Sequence, residues 1–187
     1  AGINFVKSLS IASETMHIVG TEASGYYLHL APTQTKYLVP RAIDPAYIDR
    51  LNEIIRKEKI DFLHAQPDVE VEAVSEKREK LEAPVFLPSK QAVKACQDKL
   101  ESAKVWKQKN VPVAKTVEIK QEADVDRAFE ELGSPIWIRA TSGAGGRGST
   151  PADNKETALA WIRYWKSRKV KWNFIAQEHL PGKNIAF

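Results

Sequence analysis

The sequence predicts an α/β protein in two parts, a parallel-sheet region followed by a smaller antiparallel α+β region. Strand-like and helix-like segments alternate through the first half, which is typical of a parallel sheet with crossover helices. After Pro112 the pattern changes, because residues 113–119 alternate apolar and polar side chains as an antiparallel strand does. We therefore predict one domain over residues 1–88 and a second over residues 89–187, whose antiparallel part covers about residues 112–178.

The first part is predicted to alternate strands with helices. Its clearest element is the helix that begins at Asp44 and Pro45, because an N-cap residue followed by proline is a typical helix start. An apolar stripe at helical spacing follows through Ile48, Leu51 and Ile54. The predicted elements are a helix at 3–11, a strand at 16–20, a loop at 21–35, a strand at 36–40, a helix at 44–57, a strand at 61–65, a helix at 69–81 and a strand at 84–87.

The second part begins with a helical stretch that Ser89 caps and that is interrupted around residues 97–99. Gly133 marks the end of a later helix, since glycine readily takes the backbone conformation that closes helices. The remaining predicted elements are a strand at 113–119, a helix at 122–132, a strand at 135–141, a glycine loop at 143–149, a helix capped by Asp153 or Asn154 and ending near 168, and a strand at 172–178.

Composition excludes several classes of protein. Hydrophobic residues make up 43% of the 187 residues, which suffices for a packed core and is too high for a disordered chain. No apolar run approaches the ~18 residues that a membrane helix needs, so the sequence predicts a soluble, cytoplasmic protein without a membrane partner. A single cysteine, Cys96, excludes a disulfide framework and fits a reducing compartment. The four histidines show no metal-ligand spacing.

The basic pI of about 9.1 raises the hypothesis of a nucleic-acid-binding domain. Trp161, Trp165 and Trp172 lie among basic residues, which is a second motive for this hypothesis. However, the net charge is only +4, and Lys and Glu alternate without forming a basic block. Trp161, Ile162 and Trp165 also have the helical spacing of a core-facing stripe. We therefore predict no nucleic-acid partner.

The most informative segment is a loop with four glycines in six residues, from Gly143 to Gly148. It follows directly on a predicted strand and lies close to Arg139 and Arg147. Glycine lets backbone N–H groups approach an anion closely, because no Cβ is in the way and a positive φ costs little. The loop therefore indicates a phosphate-binding site.

Two common phosphate motifs match this loop only in spacing. Gly143-x-Gly145-x-x-Gly148 fits the dinucleotide fingerprint, which needs a helix to open inside the loop and an acidic residue about 20 positions later. Here the next helix starts late, and Arg168 and Lys169 stand in the acidic position. The P-loop alternative fails because Ser149 stands where the phosphate-binding lysine belongs in that motif.

A glycine flap between two antiparallel strands, closing over a nucleoside triphosphate, fits better. It needs fixed cations beneath the flap, and Lys99 and Arg139 are suitably placed in the sequence. The segments that carry this pattern are Gln97-Asp98-Lys99, Ile136-Trp137-Ile138-Arg139 leading into residues 142–149, and Ile175-Ala176-Gln177-Glu178-His179-Leu180-Pro181-Gly182. In this order they resemble the ATP-grasp superfamily, and the arginine-bearing strand looks most like its carbamoyl-phosphate-synthase-like branch.

The resemblance implies a Rossmann-like preceding domain at residues 1–88, without its first strand, and the first half of the grasp at 89–187. It implies that Lys99 and Arg139 contact the ATP phosphates, Arg139 at the α-phosphate. It further implies that the loop covers the β- and γ-phosphates and that the segment around Glu178 is the hinge that receives adenine. The implied nucleotide-binding residues are Lys99, Arg139, Gly143, Ala144, Gly145, Gly146, Arg147, Gly148, Ser149, Gln177, Glu178 and Leu180.

The activity implied is that of an ATP-dependent carboxylate-amine or carbamoyl-phosphate-synthase-like ligase acting through an acylphosphate. The substrates implied are ATP and a small carboxylate or a bicarbonate-like molecule. Mg²⁺ is implied as well, with its ligands expected beyond Phe187, and no catalytic residue is assigned. We expect these 187 residues to be part of a longer enzyme and inactive by themselves. The alternative is a non-catalytic nucleotide- or dinucleotide-binding module.

Overall fold

The computed structural model of the chain describes residues 2–143, 145–170 and 172–183. The chain divides into two compact units, Ala1–Val93 and Lys94–Phe187. No helix in the described ranges has both the length and the apolar character needed to cross a membrane. The domain boundary predicted at residue 88 stays a prediction.

The first unit contains a two-stranded parallel sheet and several helices. Strand β1 pairs with strand β2 in parallel, with Val19 opposite Thr35. Gly20 permits close packing here, because a Cβ at this position would lie 2.6 Å from the hydroxyl oxygen of Thr33. The elements in order are α1 (Gly2–Leu9), β1 (Val19–Glu22), α2 (Gly25–Leu28), β2 (Thr35–Leu38), α3 (Tyr47–Glu58), α4 (Asp68–Glu76), a 3₁₀ turn (Arg78–Lys80) and the start of α5 (Lys90–Gln97).

Helix α3 supplies the core of the first unit. Its Ile48, Leu51 and Ile54 pack with Val39 and Val74 in one buried cluster. This is the apolar stripe that the sequence shows, and its burial is the main source of stability for such a helix.

The start of α3 differs from the prediction. Asp44 precedes the helix instead of beginning it, because its carboxylate accepts a hydrogen bond from the N–H of Ala46 at 2.9 Å and closes a turn. The helix proper then starts at Tyr47.

Two predicted strands of the first part are not regular strands. The segments 61–65 and 84–87 meet in a single parallel bridge between Leu63 and Val85. Pro84 accepts a hydrogen bond from the N–H of Leu63 at 3.0 Å but has no N–H to donate, so the ladder does not extend.

The predicted strand at 16–20 and the predicted loop at 21–35 are also corrected. Strand β1 lies at Val19–Glu22, and the stretch predicted as a loop contains its end and the short helix α2. A parallel arrangement is present, but a complete Rossmann-like domain stays a prediction.

The second unit has a four-stranded antiparallel sheet, as the alternating pattern after Pro112 predicts. Its strand order is β3-β6-β4-β5. The elements are α6 (Lys99–Gln108), β3 (Thr116–Ile119), α7 (Ala123–Leu132), β4 (Ile136–Ala140), β5 (Ser149–Ala152), α8 (Lys155–Ser167) and β6 (Phe174–Glu178). Strand β5 is the second strand that the predicted glycine flap requires, and its range could not be given from a sequence, Ser-Thr-Pro-Ala, that contains a proline. Pro151 is tolerated because β5 is an edge strand.

Helices α7 and α8 cover one face of this sheet. Ile136, Ile138 and Phe174 from the strands pack with Val125 of α7 and Ile162 of α8. Helix α8 is capped by Asn154, one of the two predicted candidates, whose side chain accepts from the N–H of Thr157 at 2.9 Å. The other face carries Arg139 and Gln177 together with the fully buried Ile175.

Candidate functional site

The face of the sheet that α7 and α8 do not cover carries two rows of side chains. Directly opposed residues in neighbouring strands present their side chains on the same face. One row runs through Glu118, Ile175, Arg139 and Ser149, and the next through Thr116, Gln177, Trp137 and Pro151. We call this surface the polar face.

Arg139 lies near the middle of the polar face and is half-buried. Its Nη1 donates a hydrogen bond to Oε1 of Gln177 at 3.1 Å, and Nε2 of Gln177 donates to the hydroxyl of Thr116 at 2.9 Å. Burial lowers the pKa of the Arg139 guanidinium, but arginine remains a cation in proteins. The guanidinium is thus oriented and charged.

One donor of Arg139 is unsatisfied. Its Nε is buried and has no hydrogen-bond partner within the part of the chain that the structure describes. Leaving a buried donor of a charged group unpaired costs free energy, and an anion beside the guanidinium removes that cost. The residue therefore fits an anionic ligand.

Lys99 joins the start of helix α6 to the start of the glycine loop. Its backbone N–H donates to the carbonyl oxygen of Thr141 at 2.8 Å, and its Nζ donates to the carbonyl oxygen of Gly143 at 3.0 Å. Asp98 begins the helix as its N-cap, accepting from the N–H of Leu100 at 2.8 Å. A cation is therefore held at the first glycine of the loop.

The glycine loop connects β4 to β5 as a hairpin, and its described residues, 143 and 145–148, form no helix. Gly143, Gly145, Gly146 and Gly148 all have positive φ, between 68° and 100°. This region is rarely adopted by other residues, which explains the composition of the loop. Ala144, one of the predicted site residues, lies outside the described residues.

The middle of the loop is open, whereas its end is packed. A Cβ at Gly145 or Gly146 would meet nothing within 4 Å, but one at Gly148 would lie 2.9 Å from Cβ of Ala140. Arg147, at the tip, is exposed. The carbonyl oxygen of Gly148 accepts from the N–H of Ala140 at 3.0 Å, which closes the base of the hairpin.

The predicted hinge follows the end of β6. The N–H of Glu178 donates to the carbonyl oxygen of Lys115 at 3.0 Å, and its carboxylate accepts from the N–H of Lys115 at 2.9 Å. The Glu178 side chain thus anchors the chain before β3. His179 and Leu180 are exposed, the latter to 66%.

The structure brings the predicted residues together in two groups. Lys99 contacts the loop at Gly143, and Arg139 contacts Gln177 and lies opposite Ser149. Three residues at the site have no counterpart in the sequence prediction, namely Thr116, Thr141 and Trp172. They carry no motif of their own, and their contacts become visible only when β3, β4 and β6 are aligned.

The second unit thus places a hairpin of glycines at one end of an antiparallel sheet that carries an oriented arginine. Residues 98–171 match the model of the family described as "Carbamoyl-phosphate synthase L chain, ATP binding domain". The match confirms the predicted resemblance to the ATP-grasp superfamily and to its carbamoyl-phosphate-synthase-like branch.

Solved structures support the same fold for most of the chain. A biotin carboxylase domain of 2-oxoglutarate carboxylase from Hydrogenobacter thermophilus has a TM-score of 0.72 at 18% identity, covering 96% of this chain and 41% of that chain. N5-carboxyaminoimidazole synthetase from Staphylococcus aureus has a TM-score of 0.70 at 19% identity, covering 96% and 44%. Carboxyaminoimidazole ribonucleotide synthase from Aspergillus clavatus has a TM-score of 0.67 at 16% identity, also covering 96% and 44%. This chain thus spans less than half the length of these proteins.

Proposed function

We propose that this chain binds ATP on the polar face and forms the ATP-binding portion of an ATP-dependent ligase. The observation that carries the proposal is the buried Nε of Arg139, which has no partner among the described residues, on a guanidinium that Gln177 holds in place. Such a group fits a phosphate, because guanidinium offers a rigid set of donors to a planar or tetrahedral anion. The similar structures named above include complexes with ATP and with ADP.

Each part of the proposed site has a separate role. Arg139 contacts the α-phosphate, and the segment from Gln177 to Leu180 receives the adenine through its main chain. The backbone N–H groups of the glycine loop face the β- and γ-phosphates. Lys99 adds a positive charge at the loop's first glycine, where its Nζ lies 3.0 Å from the carbonyl oxygen.

The proposed reaction is formation of an acylphosphate. A carboxylate oxygen attacks the γ-phosphorus, the bond from that phosphorus to the β,γ-bridging oxygen breaks, and ADP leaves. A nucleophile such as an amine then attacks the acyl carbon and expels inorganic phosphate. The biotin carboxylase domain is described with MgADP and bicarbonate, which supports a bicarbonate-like carboxylate as the first acceptor.

Positioning and charge neutralisation dominate phosphoryl transfer, so cations and backbone amides are the groups the protein must supply. Mg²⁺, when bound, neutralises phosphate charge in such reactions. In the described ranges, no three His, Cys, Asp or Glu residues are grouped so as to hold a metal ion.

The alternative of a dinucleotide-binding module rests on the spacing of Gly143, Gly145 and Gly148. That fingerprint places a pyrophosphate at the N-terminus of a helix that opens in the loop. In this chain β5 follows the loop, and α8 starts only at Lys155. The hairpin geometry therefore favours ATP.

The aromatic residues of α8 do not favour nucleic-acid binding. Trp161 and Trp165 pack against the core of the second unit, and Trp165 also contacts Trp172, with ring centroids 4.8 Å apart. We further propose a cytoplasmic location, which the exposed, unpaired Cys96 supports.

Calorimetry with ATP and with NAD tests the proposal. We expect ATP to bind and NAD not to bind. Replacing Arg139 by Ala should weaken ATP binding about 10- to 100-fold, since it removes charge-assisted hydrogen bonds. Lys166→Ala, an exposed lysine on α8, serves as the control and should change affinity less than about twofold. NAD binding without ATP binding, or equal effects of the two substitutions, would contradict the proposal.

A further inference from the structure

Trp172 contacts both ends of the glycine loop. A Cβ at Gly148 would lie 3.1 Å from Cζ3 of Trp172, and a Cβ at Gly143 would lie 3.5 Å from Cζ2 of the same ring. The indole therefore lies beside the backbone at the first and last glycines, and at Gly148 it leaves too little room for a side chain.

Backbone hydrogen bonds hold Trp172 at this place. At the end of β4, the N–H of Ala140 donates to the carbonyl oxygen of Gly148 at 3.0 Å. The N–H of the next residue, Thr141, donates to the carbonyl oxygen of Asn173 at 2.9 Å. Gly148 and Asn173 are thus hydrogen-bonded to two consecutive residues, the last of β4 and the one that follows it.

The indole is also supported by its aromatic neighbour. The ring of Trp165 packs against that of Trp172 with centroids 4.8 Å apart, and both pack against the core of the second unit. Because α8 fixes Trp165, the indole of Trp172 is backed by a rigid element.

We infer that Trp172 is a positioning residue of the glycine loop, contacting Gly143 and Gly148 so that the amides of Gly145 and Gly146 face the β- and γ-phosphates of ATP. The inference rests on the proposed function. A glycine-rich hairpin loses much conformational entropy when it is ordered. Contact of both ends with one fixed aromatic surface reduces the entropy that remains to be lost when the nucleotide binds.

The competing role for Trp172 is ordinary core packing. In that case, removing the Trp172 side chain would destabilise the unit and weaken the binding of all nucleotides equally. A positioning residue acts differently, because only ligands that reach the loop depend on it. AMP keeps the adenine, the ribose and the α-phosphate but lacks the two phosphates that face the loop, so it separates the two roles.

The first experiment compares ATP with AMP binding by calorimetry in Trp172→Ala, with Trp106→Ala as a control that removes an exposed tryptophan of the same unit. We expect Trp172→Ala to weaken ATP binding about tenfold, because charge-assisted hydrogen bonds to the phosphates lose their alignment. AMP affinity should change less than about twofold, because AMP does not reach the loop. Trp172→Phe keeps a flat ring and should restore most of the ATP affinity. Equal losses for ATP and AMP, or no loss for ATP, would overturn the inference.

The second experiment measures loop position without a nucleotide. Trypsin should cut after Arg147 at least about fivefold faster in Trp172→Ala than in the unaltered protein, because cleavage requires a displaced loop. Cutting after Lys109, also exposed, measures general loosening and should stay constant. If Trp172→Ala does not fold, Trp172→Leu replaces it in both experiments. An unaltered protein that fails to bind ATP overturns the proposed function, whereas unchanged cleavage at Arg147 overturns the role of Trp172.

Discussion

Arg139 and Gln177 are hydrogen-bonded across neighbouring strands, with Nη1 of the arginine 3.1 Å from Oε1 of the amide. The two residues lie in adjacent rows of the polar face, and Thr116 orients the amide from the other side. The glutamine therefore sets the direction of the guanidinium, and its replacement should act on ATP through Arg139.

Gln177→Leu should weaken ATP binding about fivefold, because a lost hydrogen bond of about 1 kcal/mol leaves the guanidinium less well oriented. Isothermal titration of ATP measures the effect. Thr116→Val removes only the outer hydrogen bond and should have a smaller effect in the same direction. A double variant of Arg139→Ala and Gln177→Leu should be no weaker than Arg139→Ala alone. Additive losses would show that Gln177 acts independently of Arg139.

Gly148→Ala should destabilise the second unit by about 2–3 kcal/mol, because the new Cβ meets Ala140 and the φ of +75° is unfavourable for alanine. Denaturant unfolding measures the change. Gly145→Ala is the matched variant, since it has a positive φ of +68° but open space around the Cβ. It should cost about 1 kcal/mol. Similar costs at both positions would show that packing at Gly148 contributes nothing.

Lys99→Ala should weaken ATP binding about tenfold, because it removes a cation and the hydrogen bond from that cation to the first glycine of the loop. The affinity should also become less sensitive to added salt, as one favourable charge interaction is lost. Lys104 lies on the same helix, and its Nζ pairs with Oε1 of Glu101 at 2.6 Å. The substitution Lys104→Ala is therefore the control. If the two variants bind ATP with the same affinity and salt dependence, Lys99 is not part of the site.

Ionisation of the Asp124 carboxyl should make the free energy of unfolding depend on pH. Its side chain is 8% exposed and accepts hydrogen bonds from the backbone N–H groups of Gln121 and Lys120, at 3.0 and 2.9 Å. These hydrogen bonds lower the pKa of the Asp124 carboxyl, and the one from Gln121 has the largest effect. An unfolded aspartate has a pKa of about 3.9. The stabilisation is therefore complete above that pH and is lost as the pH falls through the lower pKa of the folded state.

The free energy of unfolding, measured with urea between pH 7 and pH 2, tests this dependence. The unaltered protein should lose stability more steeply than Asp124→Asn below about pH 4, so that the two curves converge in acid. Parallel curves over the whole range would contradict the assignment.

Local patterns predicted much of the fold. Periodicity predicted the apolar stripe of α3 and the antiparallel sheet, and glycine chemistry predicted the helix end at Gly133. Both signals depend on residues that are close in the sequence. The prediction was wrong where tertiary pairing decides the outcome. Segments 61–65 and 84–87 have strand-like composition, but Pro84 limits their pairing to one bridge.

The class of fold and the position of the glycine loop could be predicted because both depend on residues that are close in the chain. The four glycines and Arg139 are visible in the sequence for the same reason. Which side chains meet at the loop depends on the order of the strands. Gln177 reaches Arg139 and Trp172 reaches Gly148 because β6 lies beside β4, and strand order is set by burying one face of the sheet against α7 and α8. No local pattern encodes that order.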